Sequence, residues 1–361
     1  MLARVTATVD LSALRDNLAT VRRYAPSAKI MAAVKANGYG HGAVQVARAL
    51  GAAGVDALAV ACLEEGVRLR DAGIDAPVAL LEGVLSAEEL REAVRLGLQP
   101  VVHDDFQLAL LQALPVATPV LPWFKLDSGM HRLGFPPGAV NKLAAALAQR
   151  PAWALQGWMT HLACADELEN PMTRRQIAAY DAALSAQPGP RSIANSAGLI
   201  AWPEARRDWV RPGLMLYGAS PLPDRSAADL GLRPVMRLSS RLLSIHELEA
   251  GETVGYGALY RCAQRMRIGV VTVGYADGVH RVLPSGTPTQ IRGRTAPTVG
   301  RVSMDMICVD LSPVPDAAVG DEVLLWGEGL PVETIAAQAG TLAYELFCGL
   351  TQRVHFEYRG A

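Results

Sequence analysis

Between Lys29 and Tyr217 the chain repeats one pattern: a short apolar run, then an amphipathic stretch with helical spacing, then another apolar run. Runs near 29–34, 56–61, 77–82, 99–103, 119–126, 153–162, 191–195 and 209–217 read as strands, with helical patterns such as 43–53, 86–96 and 141–150 between them. Strands that alternate with helices favour a parallel sheet, and eight of them predict a (β/α)8 barrel of the TIM type. Ahead of it, Leu11, Leu14, Leu18 and Val21 fall on one face and predict a helix over Leu11–Tyr24, opening at Asp10 or Ser12.

After about Arg233 the texture changes. Alternating segments at 237–245, 267–273, 306–309 and 323–325, broken by Gly and Pro, predict a second, mostly β domain with one short helix at 332–338. The fold class is therefore α/β: a barrel over 11–232, then a mostly β domain over 233–361. The linker Pro221-Leu222-Pro223-Asp224 precedes the boundary, and the alternating run 4–9 is expected to pair with the second domain. No internal repeat or low-complexity tract interrupts this scheme.

Composition narrows the functional classes. A net charge of -1 argues against a nucleic-acid surface or a polybasic membrane anchor, and half of the 361 residues are hydrophobic, as in a globular enzyme. The five cysteines are scattered, with no C-x-x-C pair, and read as thiols in a reducing compartment. No secretory signal and no membrane-spanning apolar stretch is visible, so a cytoplasmic location is expected.

Chemistry-bearing residues gather at the C-terminal ends of the expected barrel strands, the face where such barrels keep their active sites. Lys35 follows the first strand and opens the loop Ala36-Asn37-Gly38-Tyr39-Gly40-His41-Gly42, whose glycines allow close approach to a ligand while Tyr39 and His41 offer donors. A lysine in that position can be desolvated and attack a carbonyl as a Schiff-base lysine does. Lys125 and Asp127 follow the fifth strand, His161 the sixth, Asn195-Ser196 the seventh, and Arg211-Pro212-Gly213 the eighth. Singly, each is more often a structural polar group; together on one rim they point to a site.

Six motifs carry a family resemblance along essentially the whole chain. They are Ala33-Val34-Lys35-Ala36-Asn37-Gly38-Tyr39-Gly40-His41-Gly42, Lys125-Leu126-Asp127-Ser128-Gly129-Met130-His131-Arg132-Leu133-Gly134, Arg211-Pro212-Gly213, Val254-Gly255-Tyr256-Gly257, Gly274-Tyr275-Ala276-Asp277-Gly278 and Val299-Gly300-Arg301-Val302-Ser303-Met304-Asp305-Met306. In this order they resemble the alanine racemases, fold type III enzymes that interconvert L- and D-alanine with pyridoxal 5'-phosphate. Gly38 stands where many relatives carry another small residue, alanine.

The resemblance implies roles. Lys35 resembles the lysine that holds the cofactor as a Schiff base and works on one face of the substrate Cα, and Tyr256 resembles the base on the other face. Two bases on opposite faces are what inversion at carbon needs. A phenol ordinarily titrates near ~10, so it needs cations nearby to act as a base at neutral pH; His161 and Arg211 are the candidates. Tyr39, Ser196, Gly213, Leu214 and Tyr344 match the phosphate-binding positions, and Ser196 is read as opening a short helix. Arg211 matches the arginine facing the pyridine nitrogen, which weakens the ring as an electron sink. Arg132 and Met304 match substrate-binding positions, and Lys125 matches a lysine often carbamylated in relatives, where the new anion holds the arginine. Tyr275, Arg281, Arg301, Asp305 and Tyr344 match the substrate entrance. A homodimer with shared active sites is implied, and no metal. The rival readings are a racemase of broader or different specificity, a decarboxylase of the same barrel, which the motifs around Tyr256 and Met304 oppose, and a non-enzymatic pyridoxal-phosphate carrier, which would not need Tyr256.

Overall fold

Each of the eight expected runs supplies one strand of a closed parallel barrel. In a computed structural model that describes residues 3–360, the strands are Lys29–Ala33, Ala57–Val60, Val78–Leu80, Gln99–Val102, Trp123–Lys125, Gly157–Met159, Arg191–Ser192 and Trp209–Val210. Pairing of Lys29 with Trp209 and of Ile30 with Val210 closes the ring. The strands are shorter than the apolar runs because the runs continue into loops that are also buried: Leu162, Ile193 and Ala194 lie outside any strand yet are shielded from solvent. Strands covered on both faces read as continuous apolar runs, which is why all eight were detectable.

The barrel interior is filled around one large ring. Trp123 packs with Met31, Ala57, Ala59, Ala79, Val101 and Met159, so three alanines make room for one indole. Its Nε1–H donates to Gln99 Oε1 (2.9 Å), and its ring meets Trp209 edge to face at 5.6 Å. Gly157, on the neighbouring strand, has no space for a side chain: a Cβ there would lie 2.6 Å from the Trp123 ring.

The helices form where their patterns place them, at Ala43–Ala52, Ala87–Arg95 and Val140–Ala148. Ser86 caps the second by accepting from Glu89 N–H (3.1 Å) while Leu90 and Ala93 are buried. The first helix spans Leu11–Tyr24, and Asp10 rather than Ser12 opens it: Asp10 Oδ1 accepts from the Ser12 and Ala13 amides (2.8 and 3.0 Å). By contacts the chain divides into two compact units, one of residues 15–216 and 220–231 that contains the barrel, the other of residues 1–14, 217–219 and 232–361.

The second unit is built on an eight-stranded sheet. Its spine is Met236–Leu248, a 13-residue strand that pairs antiparallel with Thr6–Asp10 and Glu322–Trp326 through its first half and with Met266–Val271 through its second. Ile307–Asp310 continues the sheet, and His355–Arg359 lies parallel to Thr6–Asp10. Two features depart from expectation. There are two helices near the C-terminal end, Val332–Ala339 and Ala343–Cys348, separated at Gly340 in a left-handed conformation. A hairpin, Pro288–Ile291 with Arg294–Val299, was not anticipated because Pro288 and Pro297 face each other across it and proline weakens a strand signal. Its two-residue turn, Arg292-Gly293, has φ of 51° and 74°, the positive pair a tight hairpin needs, but with Arg where Asn or Asp is usual. Among the described residues no helix is long and apolar enough to cross a membrane.

Because Trp123 is fully buried amid small neighbours, Trp123→Ala is expected to cost about 3–5 kcal/mol. The loss is read as a lower denaturation midpoint by far-UV circular dichroism; a change within error would show that the indole does not organise the barrel core.

Candidate active site

Lys35 sits half-buried at the C-terminal end of the strand Lys29–Ala33, whose exit is fixed by Val34 N–H donating to Ala59 carbonyl (2.8 Å). The segment after Lys35 is an ordered turn rather than a flexible loop. Ala36, Asn37, Gly38, Tyr39 and Gly40 have φ of 51°, 55°, 65°, 51° and 76°, a left-handed turn of helix. Each non-glycine residue there costs roughly 1–2 kcal/mol, so the surroundings must hold the turn. They do so with backbone bonds from Gly38 to Val34 (2.8 Å) and Gly42 to Asn37 (2.8 Å), and with Asn37 Oδ1 accepting from Ala43 N–H (3.1 Å). Glu65 bridges the turn to the next strand: its carboxylate accepts from Ala36 N–H (2.6 Å) and Ala61 N–H (2.7 Å). Sequence reasoning missed Glu65, whose only signal is a place in the first turn of Leu63–Asp71. His41 is fully buried rather than offered at the mouth; burial pushes its pKa down to about 4, and the neutral ring meets Tyr39 carbonyl through Nδ1 (2.7 Å).

A second cluster surrounds Arg211, which is buried. Its guanidinium donates to Ser192 Oγ (2.5 Å) and to the carbonyls of Ile193 (3.2 Å) and Thr160, and it approaches His161 Nδ1 at 3.4 Å. Burial lowers its pKa to about 10, which leaves it a cation at neutral pH. His161 is held well below the ordinary histidine range, first by burial and then by the charges of Arg211, Lys125, Arg132 and Lys35. A neutral His161 that accepts from Arg211 at Nδ1 carries its proton on Nε2. Lys125, also buried, is pushed down to about 8 by burial and by Arg211 and Arg132, against the opposing pull of Asp127. Asp127 turns its carboxylate to its own loop, accepting from Gly129 and His131 amides (2.9 and 3.0 Å) and meeting His131 Nδ1 (2.9 Å). Arg132, on that loop, is exposed.

Ser196 lies beside this cluster. Asn195, not Ser196, caps the helix Ser196–Ala201, through Oδ1 and Gly198 N–H (2.9 Å). Ser196 is instead the first residue of the helix, and its Oγ accepts from Gly213 N–H (2.9 Å) and Met215 N–H (3.4 Å). Gly213 has no room for a side chain, since a Cβ there would lie 2.5 Å from Tyr39 hydroxyl. The barrel unit thus contains Lys35, Tyr39, Lys125, Arg132, His161, Ser196, Arg211, Gly213 and Leu214, Lys125 as the last residue of its strand and the others in the segments after strand ends, a set rich in positive charge.

The other candidates belong to the second unit. Tyr256 is 72% exposed on a turn between Gly255 and Gly257, anchored below by Val254, which packs with Cys262, Met266, Ile268 and Val299. Arg301, exposed, approaches the same turn: a Cβ at Gly257 would lie 3.6 Å from its guanidinium. Tyr275 N–H and Ala276 N–H donate to the carbonyls of Ser303 and Met304 (3.0 Å each), so these two motifs form one structure. With its carbonyl engaged, Met304 has its N–H to offer a ligand. Arg281 is exposed, and Tyr344 lies exposed on Ala343–Cys348, in a different unit from the other residues of the expected phosphate set. Arg353, like Glu65, escaped sequence reasoning: it joins buried Asp277 (3.1 Å) to Asp305 (2.8 Å), while Asp277 also accepts from Gly274 N–H (2.9 Å).

Comparison with known proteins identifies this arrangement. The family profile for the alanine racemase N-terminal domain matches residues 9–221, and that for the alanine racemase C-terminal domain matches residues 235–358. The chain belongs to the alanine racemase family. It is 51% identical over 356 residues to an alanine racemase of Thioalkalivibrio sulfidiphilus (strain HL-EbGR7), covering 98% of each chain. It is 47% identical over 353 residues to one of Vibrio parahaemolyticus serotype O3:K6, again over 98% of each. Among solved structures, the biosynthetic alanine racemase of Pseudomonas aeruginosa superposes with a TM-score of 0.96 at 46% identity, over 99% of this chain and 100% of that one.

Arg353 ties the two loops of this family member's second unit together through paired carboxylates, so Arg353→Ala is expected to loosen them. The Tyr275 and Ala276 amides should exchange with solvent about tenfold faster or more, relative to those of Ile307–Asp310, and Arg353→Lys should recover only part because one ammonium replaces a two-pronged fork. Hydrogen-exchange mass spectrometry checks this; unchanged loop exchange would remove Arg353 from the scaffold.

Proposed function

We propose that this chain is a cytoplasmic racemase that interconverts L- and D-alanine with pyridoxal 5'-phosphate held in the barrel of residues 11–232, the domain of residues 233–361 supplying the second base. The observation that carries the reading is Lys35 at a strand end, on a strained turn and within the field of buried cations. A reactive amine held rigidly beside positive charge suits an anionic aldehyde cofactor. The cradle also fits: the missing side chain of Gly213 lets the Tyr39 hydroxyl come close to the residues after the last strand, and Ser196 Oγ, which already accepts two amides, has its proton left to donate to a phosphate.

Pyridoxal phosphate, when bound, makes the Cα–H of an attached amino acid acidic by spreading the electron pair left behind. The rest falls to the chain. Lys35 would tether the group, and Tyr39, Ser196, Leu214 and Tyr344 would bind its phosphate, with Gly213 leaving room for Tyr39. Arg211 would face the ring nitrogen as a hydrogen-bond donor and, already protonated, could not keep that nitrogen protonated as a carboxylate would, which would restrain the spread of charge and favour racemisation over transamination. Arg132 and the Met304 N–H orient the substrate carboxylate. Lys35 and Tyr256 then exchange the proton at Cα across its two faces, one removing and the other returning it. Tyr275, Arg281, Arg301, Asp305 and Tyr344 form the entrance.

We assign Tyr256 to a site completed by a second copy of the chain. The exposure of Tyr256, Leu259, Val282, Met304 and Leu342 in one unit supports a homodimer, since large apolar side chains exposed in number mark interfaces. Lys35→Ala and Tyr256→Ala are each expected to be nearly inactive, and Lys35→Ala to lose the adduct trapped by borohydride. When the two variants exchange subunits, half of the dimers become mixed and each mixed dimer holds one intact site, so roughly a quarter of all sites should recover. Absence of recovery, with mixed dimers confirmed by mass spectrometry, would exclude the shared site. A panel of amino acids separates alanine specificity from a broader racemase.

Lys125 is assigned as a carbamate. Its lowered pKa leaves more neutral amine at neutral pH than an ordinary lysine has, and that amine adds to carbon dioxide, forming an N–C bond and releasing one proton. The product exchanges a cation crowded by Arg211 and Arg132 for an anion between them. One carbamate carbon per chain is expected by NMR after incubation with 13C-bicarbonate, and none in Lys125→Ala. Equal spectra for the two proteins would leave Lys125 a bare amine.

A further inference from the structure

The sheet of the second unit carries a charged face that the proposed reaction does not use. In Thr6–Asp10, Ala7 and Val9 are fully buried, so Thr6 and Thr8 point to the opposite face. The strand register then sets the neighbours: Thr8 lies opposite Arg237 on one side and Glu357 on the other, and Arg241 lies opposite Glu322 one strand further out. Side chains two residues apart share a face, which adds Arg359 beside Glu357 and places Arg4 just before Thr6. These residues line a cavity of about 340 Å³.

Charge in the cavity does not balance. Four guanidiniums, those of Arg4, Arg237, Arg241 and Arg359, face two carboxylates, Glu322 and Glu357. Arg237 grips Glu322 (2.9 Å from Nη1), and Arg359 reaches Glu357 (3.5 Å). Arg241 donates to the Gly320 carbonyl (3.1 Å), which satisfies a donor without neutralising the charge. Arg4 makes no side-chain hydrogen bond or ion pair among the described residues, and the Thr6 and Thr8 hydroxyls likewise have none. A net excess of two positive charges and two unused hydroxyls therefore converge on one concavity.

We propose that this cavity is a binding site for a small multivalent oxyanion, distinct from the racemisation site. Guanidinium forks match the paired oxygens of phosphate and carboxylate, and hydroxyls complete the donor set. A single exposed ion pair is too weak to retain a monovalent anion, so the site selects ligands that engage Arg4 and Arg241 at once. The volume suits a molecule of phosphate to tricarboxylate size and lies at the lower end for small-molecule sites.

The test uses the cofactor-saturated enzyme at constant ionic strength and calorimetric titration with inorganic phosphate and with citrate, against acetate as the monovalent control. One saturable site per chain is expected for a multivalent ion and none for acetate, and the tighter of phosphate and citrate tells which source of oxyanion the cavity prefers. Arg4→Glu and Arg241→Gln should each weaken binding by about tenfold, the loss of one charge-assisted contact, in proteins whose circular dichroism is unchanged. Arg91→Glu, on the exposed helix Ala87–Arg95, should leave it unaltered. No saturable binding, equal weakening by Arg91→Glu, or binding that survives Arg4→Glu but is lost in Arg132→Ala would each overturn the proposal, the last by placing the ion in the barrel.

Discussion

The buried guanidinium of Arg211 is the interaction around which the barrel site is arranged. A cation removed from water must be met by oriented dipoles, and here the Thr160 and Ile193 carbonyls and the Ser192 hydroxyl, from the ends of neighbouring barrel strands, supply them. The barrel fold makes this possible because the C-terminal ends of its parallel strands all lie on the same rim, which brings groups from successive strand ends together. Once the charge is fixed there, it dictates the state of its neighbours: His161 stays neutral and Lys125 is held low. Burial is the larger cause in both, and Arg132 and Lys35 add to the effect of Arg211, while Asp127 opposes it at Lys125.

The left-handed turn after Lys35 is the second constraint, and it acts on geometry where Arg211 acts on charge. Ala36 and Tyr39 have no conformational reason to adopt positive φ, so the turn is retained by what encloses it: Glu65 on the Ala36 amide, Asn37 on the Ala43 amide, and the fit of Tyr39 against Gly213. Such strain held in place by hydrogen bonds is a way of fixing a side chain that no single rotamer preference would fix. Lys35 thus leaves its strand in one direction, and Tyr39 is turned back toward the residues after the last strand. Residues far apart in sequence meet because the barrel closes between its first and eighth strands.

The range of each interaction decides whether the sequence disclosed or concealed it. The barrel strands were legible because burial on both faces produces unbroken apolar runs, and the rim residues were legible because each comes directly after such a run. The hairpin at Pro288–Ile291 was not, since its prolines contradict the local rule that otherwise marks a strand, and the helix Ala343–Cys348 is too short to show a period. In the site, the glycines of the loop after Lys35 signalled an unusual backbone, and Gly38, Gly40 and Gly42 do have positive φ, but nothing in Ala36 or Tyr39 announces a left-handed backbone. Glu65 and Arg353 were invisible for a different reason. Each works by reaching a partner that only the folded chain brings near, and charged residues on a helix or a loop look the same whether they bind water or a distant amide.

The two units also divide the work by physical character. In the barrel unit Lys125, Arg211 and Ser196 are shielded, and desolvation lowers the pKa of Lys125 and of Arg211. The second unit displays its own, with Tyr256, Tyr275, Met304 and Arg301 at the surface, held by backbone pairing and by the Arg353 bridge from below. A buried group has its charge state set by the fold that encloses it, whereas an exposed phenol draws its environment from whatever later covers it.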